Sequence, residues 1–265
     1  MKPKKVIVVY AKPTSREQEN TISIVKKTLK KYGIKFTACH RGKLNKKLFY
    51  GRDIAIAIGG DGTFLRTSHF IFDKTPILGV NSDPKFKEGF FMASTRKDFE
   101  RKFKRILAGE SRIRRLSRLE ARIGKKKITE LALNEFYLSS KKEYRTARYY
   151  ITAKGKKERQ KSSGILVATA AGSYAWMKSA GGETLPIESR DFEYLVREPY
   201  CGNISAKCML TKGILSKKNK IKVEFELGDG ILIADSLGKE HILGAGENVT
   251  IKVSKNPLHS IVFKD

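Results

Sequence analysis

Apolar residues follow two patterns along this chain, and the change falls near Ser111. Before it, short runs recur without polar alternation: Val6-Ile7-Val8-Val9-Tyr10, Ile54-Ala55-Ile56-Ala57-Ile58 and Pro76-Ile77-Leu78-Gly79-Val80-Asn81. Such runs, rich in β-branched residues, predict strands buried on both faces. Between them the spacing turns helical. Ile22, Val25 and Leu29 recur after the capping-box pattern Thr14-Ser15-Arg16-Glu17 and before Gly33. A second strand is expected over 34–39, a connection or short helix over 41–52, and a helix over 64–72. Phe99, Phe103, Ile106 and Leu107 mark one face of a helix that residues 95–98 cap and Gly109 stops. This alternation predicts a parallel sheet covered by helices. Ligands of such sheets lie beyond the strand carboxyl ends, where Asp61 and Asn81 both fall.

From Ser111 onward the chain is strand-rich and punctuated by glycine. Candidate strands are 112–123, 127–138, 144–153, 164–169, 220–227, 231–235 and 248–253, with turns at Lys154-Gly155-Lys156 and Gly228-Asp229-Gly230. The expected architecture is an α/β N-terminal domain with a parallel sheet over 1–110 and an all-β C-terminal domain over 111–265. The last segment is free to return to the first domain.

Composition narrows the classes. A chain of 265 residues with 40% apolar content can bury a sizeable core. No apolar run is long enough for a bilayer, so no membrane is expected. The opening Met1-Lys2-Pro3-Lys4-Lys5 runs into a strand that Ala11-Lys12-Pro13 ends too soon for a signal peptide. Cys39, Cys201 and Cys208 are odd in number and form no Cys-x-x-Cys pair. That argues against a disulfide framework or structural zinc, and a reducing, cytoplasmic setting is expected. The net charge of +28 is spread along the chain, with clusters at 125–127 and 154–161. A solvated lysine surface outweighs a dedicated nucleic-acid site, and no specific nucleic-acid partner is expected.

The chemistry centres on Gly59-Gly60-Asp61-Gly62-Thr63, between an apolar strand and a helix start. Glycines let backbone N–H groups approach an anion, and a helix N-terminus adds positive charge. Neither a Walker A loop nor a Gly-x-Gly-x-x-Gly fingerprint is present. A carboxylate beside phosphates is tolerated if it holds a bridging metal or takes a proton from an attacking hydroxyl. The plainer alternative makes Asp61 a helix cap. Leu131-Ala132-Leu133-Asn134-Glu135-Phe136-Tyr137-Leu138 sets an amide and a carboxylate in an apolar strand. Such a pair suits a ribose diol, unless both side chains sit at a strand end in solvent. Gly172-Ser173-Tyr174-Ala175-Trp176, continuing to Gly182, suits either a flat slot for a ring or a core tryptophan in a glycine-rich turn.

Taken in order, Gly59-Gly60-Asp61-Gly62-Thr63, Gly79-Val80-Asn81, Leu133-Asn134-Glu135, Ser163-Gly164 and Gly172-Ser173-Tyr174-Ala175-Trp176 resemble the NAD kinase family, from about residue 4 to about residue 255. The resemblance implies an α/β domain and an all-β domain with the site between them. It implies phosphoryl transfer from ATP or polyphosphate, with a divalent metal (magnesium by preference), to the 2′-hydroxyl of the adenosine ribose of NAD or NADH. By resemblance Asp61 is the catalytic base, Gly59, Gly60, Gly62, Thr63 and Arg66 meet the phosphates, and no side chain is assigned to the metal. Asn134, Glu135, Arg145, Lys161, Ser163, Tyr174, Ala175, Trp176, Ser179 and Asp235 align to dinucleotide-contacting positions. A homo-oligomer, dimer or tetramer, is expected. Ser163-Gly164, Tyr174-Ala175-Trp176 and Asn81-Ser82-Asp83-Pro84 depart from the common bacterial form and look like the mitochondrial-type branch. Two alternatives stand beside this: a lipid or sugar kinase sharing the glycine–aspartate loop, and a non-catalytic nucleic-acid-binding protein on the same scaffold.

Overall fold

The computed structural model describes residues 3–142, 144–202, 208–237 and 239–264. Met1 and Lys2, which lead into the first strand in the sequence reading, lie outside the described residues. The chain divides into two compact units, Met1–Arg115 with Leu258–Asp265, and Leu116–Pro257.

In the first unit the elements run β1 (Lys5–Tyr10), α1 (Arg16–Lys31), β2 (Lys35–His40), β3 (Ile54–Gly59), α2 (Asp61–Ser68), β4 (Ile77–Asn81), β5 (Ser94–Thr95), α3 (Phe99–Ala108) and β6 (Arg112–Leu116). The sheet order is β2-β1-β3-β4, continued by the last strand of the chain, Leu258–Val262, and then β6, with β5 beside β4. β1 pairs in parallel with both β2 and β3. The chain first moves outward from β1 to β2 and then restarts at β3 on the other side. That reversal opens a crevice at the carboxyl ends of β1 and β3, the usual ligand position in doubly wound sheets. The Gly59-Gly60 turn leaves β3 at that crevice.

All six residues of β3 are buried, as the unalternating run requires. Val25 and Leu29 of α1 and Phe99, Phe103 and Ile106 of α3 pack with Val8, Ile56 and Leu78 of the sheet. The capping box of α1 sits one residue later than the sequence pattern suggests. Ser15 Oγ accepts from Gln18 N at 3.4 Å, and Gln18 Oε1 accepts from Thr14 N at 3.2 Å. Helix α3 stops at Gly109, whose φ of 79° is the left-handed conformation that glycine adopts freely. Residues 41–52 hold two short 3-10 turns.

The second unit is a sandwich of two six-stranded sheets. Its elements are β7 (Leu119–Ile123), β8 (Lys126–Ala132), β9 (Glu135–Ser140), β10 (Ala147–Ala153), β11 (Lys156–Ser162), β12 (Gly164–Thr169) and the short helix α4 (Trp176–Ser179). There follow β13 (Phe192–Arg197), β14 (Lys212–Leu215), β15 (Lys220–Phe225), β16 (Gly230–Ala234), β17 (His241–Leu243) and β18 (Asn248–Val253). The strand Leu258–Val262, here β19, then runs parallel to β4 in the first unit's sheet. One sandwich sheet has the order β11-β10-β15-β18-β7-β8, the other β14-β13-β12-β9-β16-β17. Alternate residues fill the space between them: Phe136 and Leu138, Ile165 and Val167, Ile221 and Val223, Val249 and Ile251.

Two strands expected as continuous are broken. The run 112–123 splits into β6 and β7, which belong to different sheets. The run 127–138 splits between Ala132 and Glu135, so Asn134 lies in the break and Glu135 opens β9. The cysteine reading needs a second correction. Cys201 and Cys208, seven residues apart, form a disulfide, and Cys39 stays free. One local loop closure satisfies no framework pattern, so an odd count conceals it, and the case for a reducing compartment loses its support from cysteine usage. Among the described residues no helix is long and apolar enough to cross a membrane.

Ser15→Ala removes one leg of the α1 capping box and is expected to cost about 1 kcal/mol. Chemical unfolding monitored on both variants measures it. A change below a few tenths of a kcal/mol would show that Gln18 holds that helix end alone.

Candidate active site

The first cluster is built where β3 ends. Helix α2 begins at Asp61 itself, with Gly60 as its N-cap, so the loop is shorter than the sequence reading of a helix over 64–72 implies. Glycine is required at position 59 because an added Cβ would lie 2.4 Å from Thr63 Oγ1. A side chain at position 60 would meet Lys87 Cδ at 3.2 Å, so Lys87 lies along the loop. Arg41 donates from Nη1 to Thr63 Oγ1 at 3.3 Å. Two cations therefore flank the peptide N–H groups at the start of α2, an arrangement that favours an anion. Burial pulls the Lys87 ammonium below its ordinary range. The Arg41 charge adds to the fall and Asp83 opposes it. An incoming anion would reverse both unfavourable effects.

Asp61 is more engaged than the sequence suggests. Its Oδ2 accepts from Gly89 N at 3.0 Å and Phe90 N at 3.1 Å, and Oδ1 accepts from Phe91 N at 2.9 Å. The carboxylate thus holds the 89–91 backbone against the start of α2. A carboxylate offers about four lone-pair sites, which leaves one on Oδ1. Asn81 organises the same loop, since its Nδ2 donates to Lys87 O and its Oδ1 accepts from Asp83 N. Lys87 Nζ donates to Ser82 Oγ at 2.7 Å. Arg66 stands in the last turn of α2, about 7–8 Å along the axis from Asp61 at 1.5 Å per residue.

The second cluster is built on the outer face of the β9 sheet in the second unit. Phe136 and Leu138 point into the sandwich, so Glu135 and Tyr137 point out of it. At the end of β16, Asp235 and Ser236 adopt φ of 53° and 50°. Two consecutive non-glycine residues in that region are strained, at about 1–3 kcal/mol each. The turn folds the Asp235 carboxylate back under the strand break. There it accepts from Leu133 N at 2.9 Å, Asn134 N at 2.7 Å and Glu135 N at 3.1 Å. Asp235 N in turn donates to Glu135 O at 2.8 Å. On the other side Thr169 N donates to Asn134 O, and Thr169 Oγ1 donates to Leu133 O. Gly172 closes on the same segment: an added Cβ would lie 2.0 Å from Asn134 O.

Among the described residues this scaffold leaves two buried acceptors without a partner, Asn134 Oδ1 and Glu135 Oε2. The Glu135 carboxyl is pushed up to about 8, first by burial and then by the charge of Asp235, with a hydrogen bond from Ser236 opposing. Arg118, fully buried, is pulled down to about 10 by burial, against the charge of Asp235. Buried polar atoms are normally paired, so an unpaired amide oxygen beside an unpaired carboxyl oxygen fits hydroxyls of a ligand.

Next along the face is an aromatic slot. Tyr137 and Trp176 have ring centroids 4.8 Å apart, over Leu166, Ala168, Met177 and Leu195. The Arg197 guanidinium lies 5.2 Å from the Trp176 ring and 5.9 Å from the Tyr137 ring. Trp176 and Ala175 are half-buried, and Tyr174 and Ser179 are exposed. Ser163, also exposed, accepts from Tyr137 Oη through its carbonyl at 2.9 Å. Glu135 pairs with Ala168. Five residues separate Ala168 from Ser163, so Ser163 lies about 17 Å from Glu135 along the strand. The face is long enough to take an extended ligand.

Asn134, Glu135, Asp235, Ala175 and Trp176 thus share one part of this unit, and the Ser163 backbone stands before the start of β12, where its carbonyl meets Tyr137 Oη. Asp235 reaches the site only through the backbone that it holds. Arg145 stands apart: it is exposed, beyond the other end of β9, and pairs with Asp229 at 3.8 Å. Lys161, on β11 in the other sheet, lies with its Nζ 6.0 Å from the Tyr200 ring centroid. The sequence reading passed over Arg41, Lys87, Tyr137, Thr169 and Arg197. Position was the available signal for Arg41, which directly follows the carboxyl end of β2.

Residues 6–111 match the family model of the ATP-NAD kinase N-terminal domain. A probable NADH kinase of Oryza sativa subsp. japonica is 28% identical over 98% of this chain and 85% of its own length. An NAD kinase of Thermoplasma volcanium is 28% identical over 80% of this chain and 75% of its own. The fold superposes on an NAD kinase from Archaeoglobus fulgidus, solved in complex with ATP, with a TM-score of 0.78 at 24% identity, covering 98% of this chain and 93% of that one. It also superposes on yeast NADH kinase, solved with NADH, with a TM-score of 0.82 at 15% identity, covering 99% of this chain and 84% of that one. A doubly wound unit with a glycine–aspartate loop, followed by a β-sandwich, is thus the fold of a class of phosphotransferases. Residues 6–111 thus match the N-terminal domain of that class, and over most of its length the chain is similar to NAD and NADH kinases.

The raised Glu135 carboxyl makes a pH prediction. Unfolded, the group titrates near its ordinary 4.5; folded, near about 8. Between these values the folded state holds a proton that the unfolded state has lost, so stability falls as pH rises through the window. Glu135→Gln removes the titration. Its melting temperature should exceed the parent's at about pH 9 and match it near pH 4.5. Calorimetry across that range decides, and parallel profiles would clear Glu135 of the effect.

Proposed function

We propose that the protein is an NAD kinase that also accepts NADH, making NADP or NADPH by phosphoryl transfer from ATP to the 2′-hydroxyl of the adenosine ribose. The observation that carries this is the pair of buried, unpartnered acceptors, Asn134 Oδ1 and Glu135 Oε2, held on a backbone that Asp235 fixes. Two acceptors so placed suit the vicinal hydroxyls of a ribose. A carboxyl that keeps its proton near neutrality both accepts and donates. The all-β unit then serves as the dinucleotide-binding domain, with the Tyr137–Trp176 slot on the same face. The α/β unit serves as the phosphate-binding domain, with the α2 N-terminus, Arg41 and Lys87 receiving the phosphates.

The reaction needs little covalent help from the protein. The acceptor hydroxyl must stand in line with the γ-phosphorus, and fixed dipoles and cations must neutralise the charge that develops on the equatorial oxygens. The remaining lone pair of Asp61 Oδ1 takes the hydroxyl proton as the P–O bond forms, and ADP leaves with the electrons of the broken P–O bond. Among the described residues no group of three or more His, Cys, Asp or Glu side chains could hold a metal. Magnesium typically keeps several waters and binds through one or two carboxylates and the substrate's phosphates, so it belongs here with ATP. Incubation with ATP, magnesium and either NAD or NADH, followed by separation of the dinucleotides, tests the reading. Absence of a 2′-phosphorylated product from both acceptors would end it.

Asp61→Asn is expected to lower kcat by at least about a hundredfold, the scale of a lost general base. From sequence, this substitution should barely touch stability. The three N–H bonds change that expectation, because an amide NH₂ must now face at least one peptide N–H, at about 1–3 kcal/mol. Activity is therefore measured well below the variant's melting temperature, alongside NAD affinity, which should hold. Near-normal turnover in the folded variant would leave Asp61 as the clamp of the 89–91 loop alone.

Ser163 bears on the choice of acceptor. The nicotinamide ring is cationic in NAD and neutral in NADH. The far end of the face offers Arg197, which Glu198 pairs at 3.4 Å, and a neutral Ser163, so position 163 itself adds no charge that favours the cationic ring. Ser163→Asp should shift the ratio of kcat/KM values towards NAD. An unchanged ratio in a folded variant would show that this position does not set the preference.

A further inference from the structure

The other outer face of the sandwich carries a feature that the kinase reading does not use. Lys220, Lys222 and Lys252 alternate with the core residues Ile221, Val223 and Ile251, so they point away from the sandwich interior. They meet the β10–β11 turn and the chain before β15 in a groove of about 860 Å³. Lys154, Arg190, Lys217, Lys218, Lys220 and Lys255 line it, and among the described residues none of these six pairs with a carboxylate. Lys222 and Lys252 have acidic partners, Glu224 at 3.8 Å and Glu120 at 3.5 Å. Both partners are shared with further lysines, Lys157 and Lys127. Among the described residues no acidic side chain lines the groove.

Eight cations drawn together without a carboxylate in the lining repel one another, and the net charge of +28 adds to their field. A polyanion relieves this repulsion and gains the entropy of released counterions. The lining also contains no aromatic ring, so it offers no platform for stacking unpaired bases. Its other residues are small or aliphatic, apart from Asn219, and give little means of reading base edges. The chemistry selects a dense, regular line of phosphates over a base sequence. A duplex presents more phosphate charge per unit length than a single strand.

We propose that this groove is a second binding site, which holds the phosphate backbone of duplex nucleic acid by charge alone, without sequence preference. It lies on the sheet opposite the one that carries Glu135, so the two sites of this unit are separate.

Fluorescence anisotropy of a labelled duplex against the full-length protein, at several salt concentrations, tests the proposal. The variant Lys154→Gln/Lys217→Gln/Lys218→Gln/Lys220→Gln should bind at least about tenfold more weakly, with the slope of log K against log salt shallower by about 3.6, near 0.9 per lost contact. Lys27→Gln/Lys30→Gln/Lys35→Gln/Lys97→Gln removes the same formal charge from the first unit and should change affinity less than about twofold. Arginine at the same four groove positions should keep binding near the parent level, which separates charge from damage to the fold. Equal losses in the groove and control variants would assign binding to diffuse charge and overturn the proposal. So would tighter binding to the single strand than to the duplex, one strongly preferred sequence, or binding of inorganic polyphosphate with none of duplex at low salt.

Discussion

A carboxylate that accepts from three consecutive peptide N–H groups is the constraint on which the outer face of the β9 sheet depends. Asp235 meets the N–H groups of Leu133, Asn134 and Glu135, where the apolar run 127–138 breaks into two strands. Without an anion there, three buried donors would be orphaned at about 1–3 kcal/mol each, and the break would have no fixed shape. The strained φ values at 235 and 236 are the local consequence of reaching that position. Glu135 inherits its raised carboxyl from the same junction, which first buries it and then sets it beside the charge of Asp235.

The first unit repeats the device. Asp61 accepts from Gly89, Phe90 and Phe91 and so ties the loop after β4 to the start of α2. The two aspartates differ in their surroundings. Asp235 is buried and acts through backbone, whereas Asp61 is half-exposed and keeps lone-pair capacity at the start of α2. Similar bonding therefore closes off one carboxylate and leaves the other open to a further donor.

Much of this was legible in the residue pattern. Unalternating β-branched runs marked β1, β3 and β4, and period-3.6 spacing marked α1 and α3, because burial on both faces or on one stripe leaves a local signature. The glycine–aspartate loop between a buried strand and a helix start was legible for the same local reason. What escaped depends on long-range pairing. Nothing near Asn134 announces that Asp235, about a hundred residues on, will break its strand while burying it, so the choice between mid-strand and solvated strand end missed a buried junction. Arg41 and Lys87 are single cations in a lysine-rich chain, and only sheet order shows that they converge on Gly60 and Thr63. The Cys201–Cys208 bond escaped because counting cysteines says nothing about two that a short loop brings together.

The return of β19 to the sheet of β4 has a consequence for biosynthesis. The first unit is discontinuous in sequence, with the whole sandwich inserted between β6 and β19. On a ribosome the chain emerges from its N-terminus, so β4 and β6 are made long before the strand that lies between them. Until β19 emerges, a gap in the sheet exposes the unpaired backbone of β4, an aggregation hazard of the kind open edges present. The sandwich, whose strands are contiguous in the chain, can close first. Completion of the first unit's sheet thus waits on synthesis of the whole sandwich, and β19 acts as a late structural checkpoint on the nascent chain.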